Sequence, residues 1–259
     1  YFNANPKKYI SALVSEDCWQ ATPGKVVDLV RNLGIAAGGT VMEDCRVLEA
    51  CREGKYTSVL VQTHDKKYVE YRTEHFVNAL GSGAGKLCDS MGIDAGLYPV
   101  RHQAFITRRL PMLGKHGTNL DMLIDRQDYK GFSAVYGQQI AYTGQIIGCA
   151  SPKLDAMRID KNLKVNTKAF LEIVSEMFSE WIPDLAGVGI QAVWAGYYTE
   201  PRYIVDPELG LFVGMRGHGF MLSQYIARMY VDKLLGRPVP EYFEKLKLNG
   251  PGLSEKAFK

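Results

Sequence analysis

The sequence lacks the features that mark membrane proteins, nucleic-acid-binding proteins and metalloproteins. Its apolar residues never run together for the roughly 18 positions that a helix needs to cross a bilayer. The 31 Lys and Arg residues are scattered among 28 Asp and Glu, so no basic block supports binding to nucleic acid. The five cysteines and five histidines show neither C-x-x-C nor H-x-x-x-H spacing, so no metal site is expected. Dispersed thiols of this kind predict reduced cysteines and a cytoplasmic location.

The composition is that of an ordinary globular protein. Of the 259 residues, 46% are hydrophobic and 23% are charged, which provides enough apolar material for a sizeable core. A chain of this length forms one or two domains. It contains no internal repeat and no low-complexity segment.

Hydrophobic periodicity predicts a mixed α/β fold with a β-rich block in the middle of the chain. Helical spacing predicts helices over residues 22–34, 81–91, 165–185 and 220–235. In the third of these, Asn166 is the expected N-cap and the inward residues are Phe170, Ile173, Val174, Met177, Phe178 and Trp181. Strands are predicted over residues 40–50, 57–63, 67–71, 76–80, 98–109, 122–125, 131–136, 138–148, 191–198 and 211–213.

The first predicted helix carries a clear start signal. Thr22 can cap it, and Pro23 occupies the first turn, where a proline leaves no N–H group unpaired. Gly34 is expected to end it. Its apolar side consists of Val26, Val27, Leu29, Val30 and Leu33.

The most informative segment joins a short strand, a glycine cluster and a helix near the carboxyl end. The apolar run Leu211–Val213 leads into Gly214, Gly217 and Gly219, and a helical pattern then continues as far as the cap at Gly236. Glycines let a ligand approach the backbone, and the N–H groups at a helix start favour negative charge. The same residues also fit a tight turn before a core helix, so both interpretations stay open.

A second glycine-rich segment, residues 81–86, imitates a nucleotide-binding loop without meeting its requirements. A P-loop needs four residues between its glycines and Ser or Thr after the Lys, but Leu87 follows Lys86. A G-x-G-x-x-G fingerprint fails as well, because Lys86 stands at the third glycine position. Nucleotide hydrolysis is therefore not expected.

Three further segments accompany the carboxyl-terminal glycine turn. They read TPGKVVDLVRNLGIAAGGTVMEDCRV at 22–47, FVNALGSGAG at 76–85 with YPVRHQAFIT at 98–107, and VWAG at 193–196. In this order the four segments resemble the D-amino acid oxidase-like flavoprotein superfamily, which includes glycine oxidase, sarcosine oxidase and dimethylglycine dehydrogenase. The resemblance spans almost the whole chain.

The resemblance implies a fold of two domains. One is a Rossmann-like FAD-binding domain, incomplete at its N-terminus, formed by residues 22–96 and 203–259. It is interrupted by an antiparallel-sheet substrate domain at 97–202, and residues 1–21 precede both. The strand–GxGxxG–helix of the family is absent, so we expect roughly 100–170 further residues before Tyr1, or a second chain that supplies this half.

The same resemblance implies which residues contact FAD. Backbone groups at Val47 would meet the adenine, and small residues at Ala79 and Gly81 would let the dinucleotide approach. The last turn would face the pyrimidine edge of the flavin, with Arg216 as a donor to a flavin carbonyl. These last-turn contacts are Arg216, Gly217, His218, Gly219, Phe220 and Met221. Two of them have ordinary alternatives, since His218 could cap a turn and Arg216 could be a surface charge.

The substrate residues implied by the family are less regular in this sequence. Tyr197 and Tyr198 follow the VWAG strand and would form a substrate wall. Many family members carry an Arg soon after this strand that binds the substrate carboxylate with two hydrogen bonds. Here the segment is shorter and Arg202 is displaced. His102 stands where the family has Gly, a change that could alter the pocket or have no effect.

The activity implied is that of an FAD-dependent amino-acid or amine oxidoreductase. A hydride would pass from the C–N carbon of a small or N-methylated amino acid to flavin N5, giving an imine, while the protein orients the substrate. Two alternatives stay open. The substrate could be a hydroxy compound such as glycerol 3-phosphate, for which only Arg101 and Arg202 offer positive charge. The chain could also be a non-catalytic or split subunit that docks with a flavoprotein or a chain accepting electrons.

Overall fold

The computed structural model describes residues 14–15, 17–114, 120–126, 130–140, 143–152, 167–183 and 186–252. The chain divides into two compact units. The five-stranded unit is built on Pro99–Tyr198, and the two-segment unit joins Ser15–Tyr98 to Thr199–Lys259. The assignment of FAD to residues 22–96 and 203–259 and of substrate to residues 97–202 stays a prediction.

Helices and strands alternate along the chain in the order expected of a mixed α/β protein. The helices are α1 (Pro23–Ala36), α2 (Ala84–Ser90), α3 (Thr167–Trp181) and α4 (Gly219–Leu234). The strands are β1 (Arg46–Glu53), β2 (Tyr56–Gln62), β3 (Tyr68–Thr73), β4 (Tyr98–Thr107), β5 (Leu123–Asp125), β6 (Phe132–Ile140), β7 (Gln145–Pro152), β8 (Ile190–Glu200), β9 (Ile204–Asp206) and β10 (Leu211–Val213). Short 3-10 helices occupy Gly81–Gly83, Arg216–His218 and Glu241–Leu246.

One layer of the two-segment unit is an antiparallel meander of β1, β2 and β3. Side chains alternate along β2, so Val59 and Val61 point to the same face, and both are buried. They pack with Ala50 of β1 and Leu87 of α2. The Ser90 hydroxyl ties this helix to the sheet by accepting a hydrogen bond from the Ala50 N–H at 3.1 Å.

The antiparallel pair β9–β10 lies between two helices of the same unit. Ile204 packs in one cluster with Ala84 of α2, whereas its neighbour Val205 packs in another with Ile226 of α4. Because both faces of the pair are covered, its strands are apolar at nearly every position, which is why they read as short hydrophobic runs in the sequence.

Helix α1 forms where it is predicted but continues past Gly34, the predicted end, to Ala36, and its apolar side is not buried. Val27, Leu29, Val30 and Leu33 are between 50% and 62% exposed, and no residue of the helix is buried. Thr22 stands at the N-cap position without a side-chain hydrogen bond to the helix. An amphipathic helix gains its stability mainly from packing of its apolar face, so this face is an uncovered surface.

The core of the five-stranded unit lies between its sheet and α3. The strands follow the order β5-β6-β7-β4-β8, with antiparallel pairs β5–β6, β6–β7 and β4–β7. Phe105 of β4 meets Phe178 of α3 edge-to-face, with ring centroids 5.2 Å apart. The inward residues predicted for this helix are confirmed as buried: Phe170, Ile173, Val174, Met177, Phe178 and Trp181. Asn166 lies outside the described residues.

Four strand predictions were wrong in extent or division. Residues 76–80 form a single bridge at Asn78 instead of a strand, and β1 begins at Arg46 instead of residue 40. The strands predicted over residues 131–136 and 138–148 divide elsewhere, because β6 continues through Gly137 to Ile140 and β7 begins at Gln145. The reason is tertiary: a Cβ at Gly137 would lie 2.3 Å from Cζ of Phe178, so this glycine makes room for a core ring and does not form a turn.

The part of the chain that the structure describes contains neither a candidate membrane span nor a metal cluster. None of its helices combines the length and the apolar character that crossing a membrane requires. Within the same residues, no three His, Cys, Asp or Glu side chains come together as a metal site. All five cysteines lie in these ranges, and all are free thiols.

Candidate functional site

The structure brings two of the predicted cofactor segments side by side. Asn78 and Leu211 form a parallel bridge, in which the Asn78 N–H donates to the Gly210 carbonyl at 2.8 Å and the Phe212 N–H donates to the Asn78 carbonyl at 3.0 Å. Because the two segments run in parallel, the turns that follow them leave from the same end. The carboxyl end of neighbouring parallel strands is where α/β folds bind nucleotide cofactors.

The Asn78 side chain holds the first of these turns in shape. Its Nδ2 donates to the Ala84 carbonyl at 3.1 Å, and its Oδ1 accepts from the Leu80 N–H at 3.2 Å. The side chain is buried, with 1% exposure, so its bond to Ala84 forms away from solvent, whereas the bond from the Leu80 N–H is partly buried. Asn78 was not among the residues predicted to be functional. Its signal was an Asn immediately before a glycine-rich turn, where an amide can bond to the backbone two residues further on.

The first turn presents an open backbone. Ala79 and Gly81 are exposed, and Gly81 has a φ of +56°, which a residue with a Cβ rarely adopts. A Cβ built on Gly81 would meet no atom within 4 Å. No neighbouring atom of the protein therefore requires a glycine here, and the space beside this backbone is available to a ligand.

The last turn begins with a close backbone contact at Gly214. Its φ is +73°, and a Cβ there would lie 1.9 Å from the carbonyl oxygen of Arg202. Only glycine fits this position. The sequence analysis counted Gly214 in the cluster, but it did not assign to Gly214 the contact that fixes the turn.

Arg216 is a structural ion-pair partner within this turn. Its Nε lies 2.6 Å from Oε2 of Glu200, and the two side chains are only 24% and 12% exposed. Arg216 also has a positive φ of 49°, which is uncommon for a residue with a long side chain. The interpretation of Arg216 as a plain surface charge is therefore wrong, while its contact with a flavin stays a prediction.

His218 lies at the N-cap position of α4 and does not cap it with its side chain. Its Nδ1 instead shares a hydrogen bond with the Tyr203 hydroxyl. The first N–H groups of a helix have no partner within the helix, and here they follow an exposed Gly217. A Cβ on Gly219 would lie 3.1 Å from Cβ of Met215, so this glycine serves packing inside the turn as well as any approach of a ligand.

These turn residues fit a flavin nucleotide. The open backbone at Gly81 and the start of α4 offer N–H groups and space, which are what a phosphate or a pyrimidine edge requires. Phe220 and Met221, which follow in the first turn of α4, are 46% and 68% exposed and could lie against a flat ring. The Val47 side chain packs into the core with Val61, its partner across the sheet, and contact of the Val47 backbone with the adenine stays a prediction.

In the five-stranded unit, three aromatic side chains form one cluster. The His102 and Tyr198 rings stack with centroids 3.8 Å apart and an interplanar angle of 29°. The Tyr198 hydroxyl lies 3.2 Å from the Tyr136 hydroxyl. Two of the predicted substrate residues are thus brought together, and Tyr136 joins them although the sequence analysis did not select it. Tyr136 is distant in sequence, so no local pattern connected it with Tyr198.

Cys149 lies directly opposite Tyr136 in the sheet and is its hydrogen-bond neighbour. Burial raises the pKa of the Cys149 thiol to about 11. Burial also raises the pKa of the Tyr136 hydroxyl above its usual range. Both groups therefore keep their protons at neutral pH, and the hydroxyls of this cluster can donate hydrogen bonds.

The other two predicted substrate residues lie elsewhere. Tyr197 precedes Tyr198 in β8, and adjacent strand residues point to opposite faces of a sheet. Arg202 belongs to the two-segment unit, where its guanidinium donates to the carbonyl of Gly250 at 3.0 Å and to that of Leu248. Arg202 thus holds the segment at residues 248–250, and its role as a carboxylate anchor stays a prediction.

Comparison with known proteins identifies the family of the chain. A family model described as FAD dependent oxidoreductase, DAO, matches residues 2–233, which is most of the chain. No curated protein matches the sequence.

Solved structures support the same fold. L-proline dehydrogenase from P. horikoshii superposes with a TM-score of 0.67 at 24% identity, covering 87% of this chain and 59% of that one. Iminodiacetate oxidase from Chelativorans sp. BNC1 gives 0.65 at 14% identity, covering 88% and 58%. Glycine oxidase from Bacillus cereus ATCC 14579 gives 0.62 at 19% identity, covering 84% and 57%. This chain therefore spans less than two thirds of the length of each. The superpositions confirm the predicted mixed α/β fold class.

Proposed function

Because this chain belongs to the DAO family of FAD-dependent oxidoreductases, we propose that it takes part in oxidising the C–N bond of a small or N-methylated amino acid. The observation that carries the proposal is the parallel bridge between Asn78 and Leu211, which aligns two glycine-rich turns at one end of the two-segment unit. Bound FAD would supply the hydride acceptor. The residues of this chain would bind the cofactor, orient the substrate and shield both from water.

The cofactor would be held mainly by backbone groups. The N–H groups at the start of α4 would stabilise negative charge on the flavin by about 0.3–1 kcal/mol, or up to about 2 kcal/mol where partly buried. The Arg216–Glu200 pair would keep this turn in place, since its Nε–Oε2 bond at 2.6 Å is mostly shielded from water. At the other turn, Gly81 would allow close approach of the dinucleotide.

The substrate would contact the cluster formed by His102, Tyr136 and Tyr198. The Tyr136 and Tyr198 hydroxyls lie 3.2 Å apart, so one donates to the other, and at most one O–H of the pair is a donor for a carboxylate oxygen. The stacked His102 ring covers one side of Tyr198 and limits its rotation. A carboxylate held in this way would be fixed in position and orientation.

The uncovered apolar face of α1 is the surface on which a partner segment would dock. Four apolar side chains at least half exposed on one helix form a surface that soluble proteins normally bury. A strand–GxGxxG–helix segment, supplied in the same polypeptide or by a second chain, would cover this face and complete the FAD site. Where the segment comes from a second chain, this chain would be one subunit of a split oxidoreductase.

A matched pair of glycine substitutions tests the cofactor site. Gly81 and Gly54 have similar φ values of +56° and +62°, and a Cβ on either would meet no atom within 4 Å. Substitution by Ala should cost each about 1–2 kcal/mol of stability. FAD affinity, titrated by flavin fluorescence, should fall at least about tenfold only in Gly81→Ala. Equal affinities would remove Gly81 from the site.

A second pair of substitutions tests whether a partner segment docks on the exposed apolar face of α1. Leu33 and Leu235 are 60% and 59% exposed, so substitution of either by Lys should leave the fold of the chain itself intact. Leu33→Lys should lower FAD content in the complete polypeptide or complex, measured as the ratio of flavin to protein absorbance, whereas Leu235→Lys should not. Identical FAD contents would contradict docking on α1.

The reaction class is tested by anaerobic reduction of the bound flavin. Proline, glycine and iminodiacetate, together with N-methylated amino acids, would be mixed with the flavoprotein and bleaching followed. Loss of flavin absorbance with an amino acid supports the proposal. Bleaching by glycerol 3-phosphate alone would replace it with the hydroxy-substrate alternative.

A further inference from the structure

The two residues that lead into β9 both contact the glycine turn that precedes α4. The carbonyl oxygen of Arg202 lies so close to Gly214 that a Cβ there would be only 1.9 Å from it. One residue further on, the Tyr203 hydroxyl shares a hydrogen bond with Nδ1 of His218. The chain then continues into β9, which pairs with β10. Backbone contacts on both sides of Tyr203 therefore fix its position relative to the turn.

The Tyr203 side chain is a rigid support for this hydrogen bond. Its ring is 9% exposed and belongs to a core cluster that includes Ile226 and Met229 of α4 and Phe243. His218, in contrast, is an exposed residue at the N-cap position of α4. A tyrosine packed in a core needs a partner for its hydroxyl, and here the partner is a side chain of the predicted cofactor turn.

The hydrogen bond also decides which nitrogen of His218 carries the ring proton. A neutral imidazole has one N–H donor and one bare nitrogen that accepts. The phenol O–H of Tyr203 is more acidic than an imidazole N–H, and the bare imidazole nitrogen is more basic than the phenol oxygen. The Tyr203 hydroxyl therefore donates to Nδ1, and the ring proton of His218 lies on Nε2.

We propose that Tyr203 is a positioning residue for the flavin. It holds the His218 imidazole with Nδ1 turned to the protein core and with Nε2–H as a neutral donor to an oxygen of the flavin pyrimidine edge. The inference rests on the proposed function, because it requires FAD at the turn that contains His218. A fixed N–H donor stabilises the negative charge that this edge gains on reduction. Tyr203 would thus raise the reduction potential of the flavin through His218, without touching the flavin itself.

Redox titration of the FAD-loaded complete polypeptide or complex tests this role. Tyr203→Phe keeps the ring in the core and removes only the hydroxyl, so the fold should be retained. The ratio of reduced to oxidised flavin at a fixed potential should fall about tenfold, which lowers the potential of a two-electron couple by about 30 mV. Tyr242→Phe is the matched control, because its hydroxyl bonds to that of Tyr225 at 2.9 Å, and its potential should equal that of the wild type.

A double-mutant cycle separates positioning from a general structural effect. His218→Ala should lower the potential at least as far as Tyr203→Phe does. The double variant should lie no lower than His218→Ala alone, because Tyr203 acts through His218. The proposal is overturned if Tyr203→Phe leaves the potential unchanged, or if it lowers the potential equally when His218 is absent.

Nitrogen-15 NMR of the same protein, labelled at histidine, gives a readout that does not depend on activity. The signals of His218 are identified by their loss in His218→Ala. At about pH 8.5, where an imidazole is neutral, the wild type should show a bare Nδ1 and a protonated Nε2, and Tyr203→Phe should show a mixture of both tautomers. A protonated Nδ1 in the wild type would contradict the proposal.

The same measurements distinguish a failure of this inference from a failure of the proposed function. If the complete protein does not bind FAD, the proposed function is wrong, and the role of Tyr203 is lost with it. If FAD binds and the potential is the same in the wild type and Tyr203→Phe, only the role of Tyr203 is wrong.

Discussion

Arg216 and Glu200 form a mostly buried ion pair, with Nε and Oε2 2.6 Å apart, that joins the end of β8 to the glycine turn before α4. The two residues are 16 positions apart, and nothing in their local sequence marks them as partners. The pair holds the turn that would face the flavin, so the stability of the fold and the affinity for cofactor should depend on it together.

We expect Arg216→Gln to lower the free energy of unfolding by about 3 kcal/mol, because it removes a cation that pairs with the mostly buried Glu200 carboxylate. Urea denaturation would measure the change. Arg228→Gln is the control, since Arg228 is 82% exposed and lies 3.8 Å from Asp232, and its loss should cost less than about 1 kcal/mol. The double variant Arg216→Gln with Glu200→Gln should recover part of the loss. No recovery would show that the pair is not the cause.

Asn78→Ala should destabilise the first cofactor turn by about 2–4 kcal/mol. The substitution removes the partner of the buried Ala84 carbonyl, at about 1–3 kcal/mol, and that of the partly buried Leu80 N–H, at about 1 kcal/mol. FAD affinity should fall with stability, because the turn loses its shape. Ser82→Ala, at an exposed position of the same turn, should change neither quantity by more than about 0.5 kcal/mol. Urea denaturation and FAD titration of both variants provide the comparison.

Stability should decline at alkaline pH because of Cys149. The pKa of its thiol is about 11 in the folded chain and 9.0 when unperturbed, so between these values the folded state retains a proton that the unfolded state loses. The stabilisation is complete below pH 9 and is lost as pH rises through 11, by about 2–3 kcal/mol. Unfolding measured from pH 8 to pH 11 should show a shallower decline in Cys149→Ser. Cys51→Ser, at an exposed thiol, is the control, and equal slopes in all three proteins would refute the assignment.

Arg202→Ala distinguishes the two roles of that residue. Loss of its bonds to the carbonyls of Leu248 and Gly250 should lower the free energy of unfolding by about 1.5–3 kcal/mol. The carboxylate-anchor hypothesis predicts in addition a higher KM for the amino acid, by about 2–4 kcal/mol of lost binding. A drop in stability with an unchanged KM would assign Arg202 to the structure of residues 248–250 alone.

The elements predicted well from the sequence are those decided by neighbouring residues. Leu211–Val213 and the helix after it follow from an apolar run, a glycine cluster and a helical period, and the structure has this strand and this helix. The buried side of α3 follows in the same way from the spacing of its apolar residues. Backbone conformation and periodicity are local properties, so a single sequence carries them.

The relationships that build the candidate site were decided only by tertiary structure. The bridge from Asn78 to Leu211 and the contact of Tyr136 with Tyr198 join residues far apart in the chain, and neither leaves a local signal. Burial of an apolar helix face is equally non-local, and for this reason α1 could be predicted as a helix but not as an exposed one. The sequence by itself determined the family, the helices and the glycine turns. Packing alone decided which turns meet, which charges pair and which surface stays uncovered.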